Sequence, residues 1–252
     1  MTLAKELTGP LAGAGYLREA EFQLRVICRR DGKEVLDRTV TVRAGRSVTL
    51  PELLLTGTRC WAAELPSGAS AVTVSHPDEQ HAAVVTAEAP DLTVTAVNEY
   101  RPAALALLKR TTGTGAAAAA DREFTVELSC TLTTAPGTAP IVLADRRRYQ
   151  LRPGTVRPVD DLPDPLPAGA RCWLGEPDRN GAAEVTVEHD SAERALLLTT
   201  DPASLEVTNR FDTTEPPPPP LPITGSVPGP WAAGSLALLL LGLAARYAAR
   251  RW

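Results

Sequence analysis

The feature that most constrains the fold is an internal repeat, which takes up most of this 252-residue chain. Five short blocks recur in the same order, and conserved order indicates two copies of one domain. We assign the copies to residues 1–100 and 103–212, each long enough to bury a core of its own. The matched blocks are KELTG (5–9) with KRTTG (109–113), EFQLRVIC (21–28) with EFTVELSC (123–130), GTRCWAAE (57–64) with GARCWLGE (169–176), VTVSH (72–76) with VTVEH (185–189), and VNEY (97–100) with TNRF (208–211).

Each copy is predicted to be an antiparallel, Ig-like β-sandwich. Short runs of alternating or β-branched residues are separated by Gly, Pro and Asp turns, which is typical of sandwiches. Residues 116–120 are interpreted as a loop, because Gly113 and Gly115 precede them and a strand follows. In copy one the predicted strands centre on Leu3, Leu24, Val40, Val48, Cys60, Val72 and Val94, with a further candidate near Val84.

The C-terminal region has a different pattern. Five prolines at 216–220 lead into LPITG at 221–225, so residues 213–225 form a proline-rich spacer with this pentapeptide. An apolar run at 231–245 then precedes three arginines. Together with the uncharged residues 226–230 before it, this run is close to the length needed to cross a bilayer as a helix. We therefore predict a C-terminal hydrophobic helix within residues 226–252, with its basic end on the cytoplasmic side.

This order resembles the cell-wall sorting signal of Gram-positive surface proteins. The resemblance implies that a sortase cleaves between Thr224 and Gly225, holds Thr224 as a thioester and transfers it to an amine of the peptidoglycan precursor. Before processing, residues 226–252 would hold the chain in the membrane. The alternative is a plain tail anchor with a chance pentapeptide. The motif residues are Leu221, Pro222, Ile223, Thr224 and Gly225.

Sorting requires export, so the expected location is the cell wall or extracellular surface. Residues 1–5 nevertheless begin with neither a basic n-region nor an apolar h-region. We expect the start codon to be misplaced or the chain to be the C-terminal part of a longer protein. Truncation is favoured, because the repeat begins almost at residue 1.

The repeat also resembles a known group of domains. Its layout resembles that of repeats of unknown function in actinobacterial cell-wall-anchored proteins. The features that carry the resemblance are a lysine near the first strand, the EF-x-φ-x-φ-x-C and G-x-R-C-W-x-x-E blocks, and a last-strand asparagine. The actinobacterial repeats in turn resemble the Cna-B or SpaA-type prealbumin-like sandwich of Gram-positive adhesins and pilins. The Ala- and Arg-rich, Lys-poor composition is consistent with a GC-rich actinobacterial source.

Rare residues recur at matching positions. The chain has three lysines and three asparagines, and two of each are paired between the copies. In Cna-B-type domains a first-strand Lys and a last-strand Asn form an intramolecular isopeptide bond, assisted by an acidic residue. Burial would favour the neutral amine as nucleophile. The alternative is that the lysines are exposed and the asparagines make turns. The resemblance implies Lys5–Asn98 with Glu64, and Lys109–Asn209 with Glu176.

The cysteines are also paired by position between the copies. An exported protein meets oxidising conditions, so one disulfide per domain is expected. Reduced core thiols are an alternative. A Cys2His metal site with His76 or His189 is a weaker one, because no fourth ligand stands out. No cofactor or metal is therefore expected. The expected disulfides are Cys28–Cys60 and Cys130–Cys172.

Composition and motifs narrow the function. A net charge of -4 without a basic tract argues against nucleic acid as a partner. No phosphate loop, G-x-S-x-G or H-E-x-x-H motif occurs, so we do not expect an enzyme. The leading hypothesis is a structural stalk anchored covalently to peptidoglycan. An adhesin is the alternative, with no ligand named by the loops; an accessory pilus subunit is another, for which Lys33 is the spare lysine.

Overall fold

The computed structural model describes residues 1–213, which form one compact unit. The LPITG motif and the hydrophobic segment 226–252 lie outside the described residues, as does the proline-rich spacer beyond residue 213. Within residues 1–213, no helix has the length and apolar character needed to cross a membrane. The described chain is nearly all β, as predicted, and its strands form two sandwiches.

The first sandwich has eight strands in two four-stranded sheets. All seven predicted strands are present, and so is the further candidate near Val84. One sheet has the strand order β4-β1-β8-β6 and the other β3-β2-β5-β7. The strands are β1 (Thr2–Thr8), β2 (Glu21–Arg30), β3 (Lys33–Arg43), β4 (Ser47–Thr49), β5 (Arg59–Glu64), β6 (Ala71–Val74), β7 (Ala83–Val84) and β8 (Thr93–Glu99).

The second sandwich repeats this arrangement strand for strand. Its sheets have the orders β12-β9-β16-β14 and β11-β10-β13-β15. Residues 116–119, interpreted from sequence as loop, instead form a single 3₁₀ turn, because Ala119 packs into a small cluster under the last strand. The strands are β9 (Leu105–Thr112), β10 (Phe124–Leu132), β11 (Ile141–Leu151), β12 (Val156–Pro158), β13 (Arg171–Gly175), β14 (Glu184–Val187), β15 (Leu196–Leu197) and β16 (Ala203–Arg210).

Strand β2 shows how the sequence sets the sandwich. Its alternate residues Phe22, Leu24, Val26 and Cys28 are all fully buried, because successive side chains of a strand point to opposite faces. The same alternation buries the matching residues of β10. An Asp-Gly turn with positive φ at both residues closes the β2–β3 hairpin, and this turn suits the twist of paired strands.

The first and last strands of each sandwich are neighbours and run parallel. Strand β1 pairs with β8, and β9 pairs with β16, while the other strand pairs within the sheets are antiparallel. Parallel neighbours enter the sheet at the same end. The chain therefore enters each sandwich at one end and leaves it at the other.

The two sandwiches meet end to end through the loop between β12 and β13. The backbone N–H of Gly15 donates a hydrogen bond to Asp164 Oδ2 at 2.9 Å, and the Tyr16 hydroxyl donates to the Pro165 carbonyl at 3.1 Å. Leu132 of the second sandwich is fully buried in a cluster whose other buried members belong to the first. Gly68 and Gly169 approach so closely that a Cβ on Gly169 would lie 1.9 Å from the Gly68 carbonyl oxygen. We call this contact the repeat junction.

Candidate functional site

The parallel strand pair places a lysine and an asparagine on one face of the sheet. In the register of β1 and β8, Lys5 lies opposite Ala96, two residues before Asn98. In β9 and β16, Lys109 lies opposite Val207, again two residues before Asn209. Residues two apart on a strand share a face, so each lysine is a diagonal neighbour of its asparagine.

A glutamate from the opposite sheet completes each group. Glu64 is the last residue of β5, and Glu176 directly follows β13. The side chains of both glutamates and of both lysines are completely buried, and so are both asparagines. The structure thus brings together the residues that the sequence resemblance grouped. We call each Lys–Glu–Asn trio the buried triad of its sandwich.

In the first sandwich the glutamate bridges the other two residues. Lys5 Nζ lies 3.1 Å from Glu64 Oε2, and Asn98 Nδ2 donates a hydrogen bond to Glu64 Oε1 at 2.5 Å. Asn98 Nδ2 also donates to Ser67 Oγ at 3.0 Å. Among the described residues, Asn98 Oδ1 has no hydrogen-bond partner. The carboxamide therefore presents its nitrogen to the acid and leaves its oxygen free.

In the second sandwich all three residues contact one another. Lys109 Nζ donates to Glu176 Oε2 and to Asn209 Oδ1, both at 2.6 Å. Asn209 Nδ2 donates to Glu176 Oε1 at 2.9 Å. The amine is thus next to the carboxamide group, and the carboxylate contacts both the amine and the amide nitrogen.

Apolar surroundings alter the acid–base behaviour of the lysines. Each ammonium lies over an aromatic ring, with Nζ 4.6 Å from the centre of Phe22 or Phe124. Burial lowers the pKa of Lys5 and of Lys109 below the ordinary lysine value, although the adjacent glutamates act in the opposite direction. Transfer of one proton within the pair would leave a neutral amine and a neutral carboxylic acid, which avoids two buried charges.

The triad geometry suits one class of reaction. A neutral lysine amine is a nucleophile, and in the second sandwich the carboxamide group of Asn209 is an electrophile in contact with it, through Oδ1. The glutamate contacts the amide nitrogen in both sandwiches, where a proton is needed if that nitrogen leaves as ammonia. In the second sandwich all the components of an intramolecular amide exchange are therefore within hydrogen-bond distance of one another, and in the first the glutamate contacts both partners.

Sequence reasoning missed three residues of the site. Phe22 and Phe124 were visible as repeated strand residues, and only the structure shows them under the lysine amines. Ser67 is buried and is the third residue after Glu64, whereas the third residue after Glu176 is Arg179. Comparison of the two copies could not find a residue that only one of them has.

The cysteines form one disulfide in each sandwich, as the sequence led us to expect. Cys28 and Cys60 lie directly opposite each other on β2 and β5, and Cys130 and Cys172 do so on β10 and β13. These bonds join neighbouring strands of one sheet, whereas the triad lies between the sheets. All four cysteines are paired in these two disulfides.

The sequence matches one family over both repeats. The family is described as "Domain of unknown function (DUF5979)", and its profile matches residues 1–101 and 105–212. The chain belongs to this family. Each DUF5979 repeat corresponds to one sandwich with one buried triad and one disulfide. Among curated proteins, none matches the chain.

Pilus proteins are among the solved structures that match this chain. A major pilin from Streptococcus pyogenes is 16% identical, with 84% of this chain and 98% of that chain covered and a TM-score of 0.38. The T-13 major pilin from S. pyogenes serotype GAS131465 is 14% identical, with 84% and 97% covered and a TM-score of 0.40. The pilus-presented adhesin Spy0125 (Cpa) is 17% identical with a TM-score of 0.31; the match covers 48% of this chain and 30% of the adhesin.

Proposed function

We propose that the two DUF5979 repeats form a covalently closed stalk that is displayed on the cell surface. The observation that carries the proposal is the duplicated buried triad. Uncompensated burial of an amine and a carboxylate is costly, and two separate sandwiches contain the same pair beside a carboxamide. Formation of an amide bond would replace each buried amine by a neutral group.

The proposed bond formation balances without an external reagent. Lys Nζ transfers its proton to the glutamate and attacks Asn Cγ, so that an Nζ–Cγ bond forms. The glutamic acid passes that proton to Asn Nδ2, the Cγ–Nδ2 bond breaks and ammonia leaves. The remaining excess proton on Nζ moves to the glutamate, which ends as a neutral carboxylic acid beside the new amide. The products are one Lys–Asn amide and one ammonia per sandwich. The order of steps follows general acid–base catalysis by a single carboxyl group.

The position of these bonds suits a stalk under tension. The chain enters on β1 and leaves on β8, so a bond between Lys5 and Asn98 joins the entering strand to the leaving strand. Force along the chain would then bypass the residues between them, including the disulfide. The second sandwich would carry the force from Lys109 to Asn209 in the same way.

Pulling residues 1–213 by their ends in a single-molecule force experiment tests this role. We expect neither sandwich to extend beyond the short segments outside the bonds. Asn209→Ala should allow the second sandwich to extend by about 200 Å, the length of the chain outside its disulfide loop. Lys33→Ala is the matched control, because Lys33 is exposed at the start of β3 and its substitution should not change extension. Full extension of the unmodified protein would contradict the proposal.

The proposal includes attachment to peptidoglycan through LPITG by a sortase. Its support is the sequence order of pentapeptide, apolar segment and arginines. The full chain, exported from a sortase-bearing Gram-positive host behind an added signal peptide, should be released from cells by a muralytic enzyme. Thr224→Ala should shift it to the membrane fraction. Equal wall attachment of both proteins would exclude cleavage at Thr224.

A further inference from the structure

An exposed apolar surface lies at the end of the first sandwich that is remote from the repeat junction. Leu53 is 96% exposed, Leu55 is 62% exposed and Val35 is 53% exposed. Together with the half-buried Leu54 they line one shallow depression. We call these four residues the end patch. Surfaces of this kind mark interaction sites when an occupant can be identified.

Backbone hydrogen bonds identify the matching residues in the second sandwich. Thr58 N donates to Leu55 O at 3.1 Å, and Ala170 N donates to Pro167 O at the same distance. The following strands begin with matching blocks, so Leu53, Leu54 and Leu55 correspond to Pro165, Leu166 and Pro167. Glu52 then corresponds to Asp164. In the hairpins Leu36 lies opposite Cys28 and Ala144 opposite Cys130, so Val35 corresponds to Leu143.

In the second sandwich these matching positions are the repeat junction. Leu166 and Pro167 are buried there, and Leu143 packs against the junction cluster. Asp164 and Pro165 accept the hydrogen bonds from Gly15 and Tyr16. The same surface is therefore covered by a preceding sandwich in one repeat and bare in the other.

The course of the chain agrees with this correspondence. Leu50 N donates to Met1 O at 2.8 Å, as Val159 N donates to Leu105 O at 2.9 Å. Met1 thus takes the place of Leu105, the residue at which the chain enters the second sandwich from the first. A sandwich joined before Met1 would lie where the first sandwich lies over the second.

We propose that the end patch is a docking surface for the C-terminal end of another sandwich repeat joined ahead of Met1. The docked end would present a 3₁₀ turn like Gly15–Leu17, with its backbone N–H directed at Glu52 and an apolar side chain on Leu53 and Leu55. Arg30 and Lys33 of the first sandwich correspond to Leu132 and Ile141 of the second. We therefore expect the docked repeat to place acidic or carbonyl groups opposite Arg30 and Lys33. The proposal does not depend on the isopeptide bonds.

A three-sandwich protein tests the docking directly. Residues 1–104 are placed before residues 1–213, so that Met1 of the second unit takes the position of Leu105. Hydrogen exchange is then measured by mass spectrometry in residues 50–57 of the middle sandwich. We expect exchange there to be slower by about tenfold or more than in the two-sandwich protein, because docking protects a loop that is otherwise open.

The control is the three-sandwich protein with Leu53→Ser and Leu55→Ser in the middle sandwich. These exposed positions do not contribute to the core, so strands β2 and β5 should keep their protection while the loop loses it. Unchanged exchange on addition of the third sandwich would overturn the proposal, as would slow exchange that survives the serine substitutions. Self-association of the two-sandwich protein that the same substitutions abolish would assign the patch to a second copy and would also overturn it.

Discussion

At the scale of single residues, each sandwich completely buries a lysine and a glutamate side chain. A completely buried lysine is stable only when its charge is paired or removed. In the second sandwich Glu176 is the acid that contacts both the amine and the amide nitrogen. This one side chain therefore has two effects, since it balances the charge before reaction and moves protons during it.

Glu176→Gln removes the charge and the acid–base function of the carboxyl group but keeps the size of the side chain. Its consequences therefore do not arise from a change in packing. We expect no bond between Lys109 and Asn209, and a loss of about 3–5 kcal/mol in the free energy of unfolding from the unpaired buried amine. Intact mass and urea unfolding measure the two results. The first sandwich is the internal control: Glu64→Gln should abolish only the Lys5–Asn98 bond. Bond formation in the Gln variants would exclude a role for the carboxyl group.

The lowered lysine pKa predicts a dependence on pH in a variant that cannot form the bond. In Asn209→Ala, Lys109 stays an amine whose pKa burial lowers, whereas in the unfolded chain it titrates near 10.5. Between those two values the unfolded state binds more protons, so the free energy of unfolding rises with pH. The gain is about 1.4 kcal/mol for each unit between the two pKa values.

Urea unfolding from neutral pH towards pH 10.5 measures this effect as a difference between the variant and the unmodified protein. In the unmodified protein Lys109 is an amide under our proposal and does not titrate. The deficit of the variant should therefore shrink as pH rises. A deficit that is constant or grows with pH would mean that Lys109 is not held in the buried position.

The rare residues show how far sequence reasoning extends at this scale. Matching of the scarce lysines and asparagines between copies predicted which side chains to group. The structure places Lys109 within hydrogen-bond distance of Asn209, and it places Lys5 and Asn98 on the same glutamate. The matching did not predict Ser67, which only the first copy has. Nor did it predict the free Asn98 oxygen, because amide orientation depends on contacts that the two copies do not share.

At the scale of elements, the proposed amide bond would give each sandwich two crosslinks of different kinds. The disulfide joins central strands of one sheet, and its cysteines have a sequence separation of 42 in the second sandwich and 32 in the first. The proposed Lys–Asn bond would join the first and last strands of the other sheet. The disulfide lies inside the loop that the Lys–Asn bond would close. It therefore restricts the unfolded chain within that loop, where the Lys–Asn bond alone would leave the residues free to move.

Removal of the inner crosslink should consequently destabilise even a sandwich that retains the outer one. We expect Cys130→Ala with Cys172→Ala to lower the free energy of unfolding by about 4 kcal/mol in the chain-entropy account. Urea unfolding of the second sandwich measures the change. The unmodified protein with its disulfides reduced is the control and should show a similar loss. A variant as stable as the oxidised protein would show that the disulfide contributes nothing to stability.

The strands themselves were predictable, but one pairing was not. Alternation in EFQLRVIC and its copy is a local signal, so β2 and β10 could be identified from sequence. The parallel pairing of β1 with β8 joins segments from opposite ends of the repeat, and nothing local specifies it. The 3₁₀ turn at residues 116–119 was also missed, because the burial of Ala119 that stabilises it depends on distant residues.

At the scale of the whole molecule, the described chain is two similar sandwiches joined end to end. The presence of two copies followed from the ordered blocks, but the repeat junction did not. Its hydrogen bonds use Tyr16 and Asp164, and their counterparts in the other repeat are an alanine and a glutamate. A contact made by residues that differ between copies leaves no repeated signal in the sequence.

The central claim is that both sandwiches are closed by a Lys–Asn amide bond, and the intact mass of purified residues 1–213 tests it most directly. The account predicts a mass lower than the disulfide-bonded sequence by two molecules of ammonia. Peptide sequencing should place the links at Lys5–Asn98 and Lys109–Asn209, with the same mass loss in Lys33→Ala. A protein of full mass, with both lysines free after complete folding, would contradict the account.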